Sequence, residues 1–252
     1  MIAVLLALTG FLLQAPASSL KITPAVVAQI DLGTLHGQIR QLAWSPDGKD
    51  FYLQTYDTNK DGTLKTKYHY SLAVAGGDPK PLSDQPEWAS TYLSWSTGKT
   101  APDDATMAIE IEQGKKTITA TSAPMGGDYA KGGNPGATSG TSVESVVSAT
   151  SQSQTVGVIT IRLKNEVVGE FVNSLFIPGL TFGWGPKGSG LIAFAEKDTG
   201  RLIVMDKKGT KLRVDGTKSV VVPAWAPDGT RLAYLQGQGH NKYSLVVASV
   251  GR

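Results

Sequence analysis

Cysteine is missing from all 252 residues. That one absence removes disulfides, thiolate metal sites, cysteine nucleophiles and lipid attachment through a thiol. Histidine is nearly missing: His36, His69 and His240 stand alone, without the HxH or HExxH spacing that gathers ligands around a metal, and read as structural or solvated residues. Charge is sparse, at 18% of residues, and 24 basic against 21 acidic side chains leave a net +3. No basic run is interleaved with aromatics, so nucleic acid is not an implied partner. GxSxG, SxxK and P-loop patterns do not occur, and GPKGSG at 185–190 is a Gly-rich turn, so no catalytic residue and no cofactor-binding residue is nominated. Outside the first residues there is no helical hydrophobic period.

A long hydrophobic run is lacking too. The apolar stretch from Ile2 to Leu13 is about a dozen residues, too short to cross a ~30 Å hydrocarbon core as a helix. It is followed by Ala15-Pro16-Ala17, a small-x-small pattern, and reads as a secretory signal cleaved after Ala17, although no Lys or Arg precedes it. The expectation is export, to the periplasm or outside the cell, with 18–252 as one mature domain and no stable membrane insertion after cleavage. An exported chain without disulfides must be held by its core alone.

What the sequence has in quantity is glycine, 29 residues, and a repeated phrase. LAWSPDGKDFYLQT (42–55), LSWSTGKTAPDDATMAIEI (93–111), FGWGPKGSGLIAFAE (182–196) and PAWAPDGTRLAYLQ (223–236) share one grammar: a Trp, a Gly-containing turn and an apolar strand. The interval from Trp95 to Trp184 is nearly twice the others, which predicts a further unit between them with a decayed anchor. VGVITIRL (156–163) and EVVGEFV (166–172) supply a strand pair there, while 126–155 is Gly/Ser/Thr-rich and reads as a disordered insertion. In the turn, Pro46 presets φ and Gly48 supplies a positive φ, and Pro227 and Gly229 repeat the arrangement.

Short strands with Gly/Pro turns at this period predict an all-β fold, a β-propeller of four or five blades. The last unit lacks an outermost strand, and AVVAQIDLGTL (25–35) is a strand without a unit. Pairing them would close the ring.

With AWSPDGK, AWAPDGT, LAY (232–234), IAF (192–194) and LIVMD (202–206), the chain resembles the TolB-type WD-like propeller repeat family over 40–82 and 180–252, and more weakly over 88–125. The resemblance implies an exported, non-catalytic propeller that binds a protein partner in the cell envelope. The chain departs from that family's full-length members in offering four or five units where they have six, and no separate α/β domain. Glycan binding is the neighbouring possibility. The alternative is a propeller enzyme (lyase, lactonase or glycan hydrolase) with its site in the central channel. For metal, the best candidate is the loop DTNKDGT: Asp57, Asn59 and Asp61 occupy the first, third and fifth positions of a calcium loop, though Lys65 and Tyr68 stand where acidic closers belong.

Overall fold

The computed structural model describes residues 17–60, 63–120, 152–172, 179–239 and 241–251. A 3-10 turn at Ala17–Ser19 leads into strand β1 (Lys21–Asp31). The first blade is β2 (Gln38–Trp44), β3 (Asp50–Thr58), β4 (Leu64–Ala73) and β5 (Lys80–Leu82). Helix α1 (Glu87–Ser96) precedes the second blade: β6 (Thr100–Ala101), β7 (Asp104–Ala120), β8 (Gln152–Leu163) and β9 (Glu166–Val172). The third holds β10 (Phe182–Trp184), β11 (Leu191–Ala195), β12 (Leu202–Asp206) and β13 (Lys211–Arg213). The fourth holds β14 (Val220–Trp225), β15 (Arg231–Gly239) and β16 (Lys242–Gly251), with β1 as its outer strand. The four antiparallel sheets form a four-bladed β-propeller.

Ring closure follows the expectation. β1 pairs with β16 from Lys21↔Gly251 to Asp31↔Lys242, with a bulge between Val26 and Ala28. At that bulge the Val27 carbonyl lies against Gly76, a turn residue of the first blade with φ 98°, where a Cβ would come within 2.4 Å of the oxygen. Glycine is required there both for its conformation and for the close approach.

Three expectations need correction. The long interval between Trp95 and Trp184 is not an extra blade: β7, β8 and β9 all belong to the second blade, which is lengthened by what lies between β7 and β8. The insertion at 126–155 is narrower than its composition suggests, because 152–155 belong to β8 and pair with Thr117, Ile118, Thr119 and Ala120 in β7; residues 126–151 lie outside the described residues. Finally, a helix exists where no helical period was read. The signal segment 1–16 also lies outside the described residues, while Ala17, just before the expected cleavage point, is buried.

The core sits between blades, which is why the middle strands read as unbroken apolar runs (LIVMD in β12 is buried throughout) and not as alternations. One cluster joins the first and fourth blades with α1, a second joins the second and third with Tyr56 of the first, and a last one joins the third and fourth with Ala17 and Leu20. The repeat tryptophans anchor this packing: Trp44, Trp184 and Trp225 are each 0% exposed. Truncating one to Ala would cost ~3–5 kcal/mol. The turns after them behave as read, with Gly48, Gly188 and Gly229 at φ 67°, 79° and 71°.

Candidate functional site

The inner ring of the propeller is made of three strands and a helix. β14 packs on β2 and on β10, whereas α1 contacts β2 and β10 from the second blade's position, where the inner strand β6 is two residues long. Aromatic donors tie the ring to backbone carbonyls. The Trp44 Nε1–H donates to the Ala224 carbonyl at 2.8 Å, the Trp184 Nε1–H to Gly98 at 2.9 Å, and the Tyr92 hydroxyl to Trp225 at 2.7 Å. Burial pushes the Tyr92 phenol well above its ordinary value, so it stays a donor. The Arg231 guanidinium lies 4.6 Å over the Trp44 ring and donates to the Gly48 carbonyl at 3.1 Å, clamping the fourth blade to the turn of the first.

Helix α1 has no side-chain cap at Pro86, and it holds its place by tertiary contacts. Ala89, Tyr92 and Leu93 enter the core. The adjoining stripe, Glu87, Trp88, Thr91 and Trp95, turns outward and forms one wall of a groove of about 540 Å³. Trp44, Pro46 and Pro227 complete the lining with Tyr92. The two prolines are those of the repeat turns in the first and fourth blades.

The wall is braced from behind. Trp88 packs edge-on against Tyr52, with ring centroids 6.4 Å apart, and Trp95 packs edge-on against Tyr92 at 4.7 Å. Tyr52 in turn shares a hydrogen bond of 2.7 Å with His69 Nδ1 and accepts one of 2.7 Å from the Gln54 amide. Gln85 connects this network to the helix, donating to Ser90 Oγ at 2.9 Å. Burial pushes the Tyr52 phenol up to about 12. These groups fix the aromatic rings in place; the groove's one ionisable lining group other than Tyr92 is Glu87.

Of the calcium-loop candidates, the described residues include Asp57 and Asn59. Asp57 lies in β3 and accepts a 2.8 Å hydrogen bond from the Tyr68 hydroxyl. Asn59 donates its side-chain amide to Thr63 Oγ1 at 2.9 Å, and Asp61 lies outside the described residues. Tyr68, at the loop's closing position, thus binds Asp57 itself. Among the described residues no group of three or more His, Cys, Asp or Glu is placed to hold a metal ion. Of the histidines, His36 packs on Tyr68 at 5.1 Å, His69 belongs to the Tyr52 network, and His240 lies outside the described residues.

The repeat pattern does not single out the groove residues Glu87, Trp88, Thr91 and Tyr92, and it reads Trp95 as a repeat anchor. A usable signal was there: Trp88, Tyr92 and Trp95 recur at four and three residues, directly after a proline, which is helical spacing. No protein-family model matches the chain, and no curated protein matches it closely enough to stand as a relative.

Proposed function

We propose that the protein is a non-catalytic binding propeller that holds a segment of a partner protein in the groove between α1 and the Pro46 and Pro227 turns. The carrying observation is that Trp88 and Trp95, unlike the buried repeat tryptophans, are partly exposed on a braced wall. Aromatic surface left partly in water gains hydrophobic stabilisation when something covers it, and Trp and Tyr are the side chains that dominate binding hot spots. The Trp-x-Pro-Asp-Gly repeat (Ser45 or Ala226 at x), with its likeness to the TolB-type family, supports a scaffold in the cell envelope. The signal-like segment at 1–17 supports export. No helix among the described residues is long and apolar enough to cross a membrane.

Immobilised protein incubated with an envelope extract tests this. Wild type should retain a partner that Trp95→Ala, folded by circular dichroism, does not. Equal retention by both would sink the reading.

A further inference from the structure

We infer that the groove receives a lysine or arginine side chain on an extended segment of the partner, an inference that rests on the groove's being the docking site. Its lining offers the faces of Trp88, Tyr92 and Trp95, the rings of Pro46 and Pro227, and one charged side chain, the exposed carboxylate of Glu87 in the first turn of α1. No lining residue is basic. The two turns bring further acid to the rim, since Asp47 and Asp228 directly follow the lining prolines and both are exposed. Asp47 is held below the usual carboxylate range, first by the Ser45 hydroxyl and then by the Lys49 backbone N–H, so this carboxylate stays ionised. Against it stands Lys49, whose ammonium is 3.9 Å from Asp47 and largely in solvent.

An aromatic floor beside a carboxylate is the arrangement that attracts a cation, through the ring quadrupole and the opposite charge together. The protein already uses that pairing within itself, where Arg231 lies 4.6 Å over Trp44, a residue of the same groove. A sugar would need several hydrogen-bonding groups, and the lining supplies few beyond its indole N–H groups: the Tyr92 hydroxyl donates to Trp225 and the Thr91 hydroxyl to the Glu87 carbonyl, which leaves the Glu87 carboxylate. The spacing suits an extended chain. Trp88 and Trp95 are separated by about 10 Å along the helix axis, which an extended backbone covers in about three residues. One ring can therefore take the cation while the other takes an apolar side chain of the same segment.

The test is a fluorescence-anisotropy comparison of labelled proline-rich peptides that differ at one position (arginine, lysine, citrulline or glutamate), with an immobilised library randomised at that position as a sequence-blind check. The expected result is tighter binding of the arginine and lysine peptides than of the citrulline peptide by about tenfold. Glu87→Gln should remove most of that difference. Thr91→Arg, an exposed change that seats the protein's own guanidinium in the groove, should abolish binding of both. Equal binding of arginine and citrulline peptides, lost in Thr91→Arg, would overturn the cation and leave the groove standing. Library enrichment that is the same for wild type and Thr91→Arg, or no enrichment at all, would overturn the groove reading itself.

Discussion

The first and second blades place the same residue type to opposite ends. In the first, Trp44 closes a seven-residue inner strand, is wholly buried, and donates its indole N–H to the neighbouring blade. In the second, the inner strand shrinks to Thr100–Ala101, and Trp95 rides on a helix with part of its ring in solvent. Trp44 lines the groove as well, but with its ring withdrawn from water, whereas Trp95 keeps part of its own in solvent. The blade that departs from the repeat is the one that leaves tryptophan surface partly in solvent, the surface that the proposed docking would use.

The sharpest way to break this comparison is to truncate both residues. Trp44→Ala should lose ~3–5 kcal/mol in urea unfolding, and Trp95→Ala under about 2, because only part of its area is withdrawn from water. Equal losses would show that Trp95 is one more structural anchor. Next in size is the fastening of α1. Tyr92→Phe leaves the Trp225 carbonyl without that donor and should cost ~1–3 kcal/mol. Because burial raises the folded Tyr92 phenol above its ordinary 10.0, its contribution is present below that pH and lost as pH rises above it. The variant should therefore lose less stability than wild type in an alkaline titration.

A smaller, acid-side effect concerns the seam between the third and fourth blades. Burial alone would raise the Asp206 carboxyl, but backbone N–H groups of Ala17 (in the chain that still carries it), Thr210 and Lys208 outweigh it and hold the group below its ordinary 3.8. The stabilisation is present above 3.8 and fades as pH falls through the lower folded value. Asp206→Asn should flatten thermal stability against pH on the acid side, and an unchanged profile would contradict the assignment. The least change is expected for Arg231→Gln, which removes the cation over Trp44 and should cost ~0.5–1 kcal/mol in urea unfolding.

Much of this architecture was legible in the residues. The Pro-Asp-Gly turns announced their positive-φ glycines, and β1 could be assigned to the last blade because an unpartnered strand at one end matched a missing strand at the other. What escaped was local structure decided by tertiary contact. Helix α1 spans ten residues, lacks a side-chain cap and mixes Trp, Tyr, Ser and Thr, none of them strong helix formers. Its stability comes from Ala89, Tyr92 and Leu93 filling the gap that a shortened β6 leaves. Trp95 also matched the repeat closely enough to hide its helical neighbours. The blade count was blurred for a related reason: a long connection inside one hairpin looks in sequence like a decayed unit.

The pairing of Lys21 with Gly251 makes β1, synthesised before the other strands of the four blades, the last of them to find its neighbour. Until 242–251 have been synthesised, β1 has no backbone partner, and folding must wait on a contact of near-maximal sequence separation. Loop entropy grows only slowly with length, so the penalty falls on the rate of folding more than on final stability. In that interval the backbone of 21–31 lacks its native partner, and the segment carries Val26 and Val27. Pro24 and Lys21 beside them are the residues that discourage pairing with another chain. The seam that makes the finished ring secure is thus also its most exposed moment, with protection written into the same eleven residues.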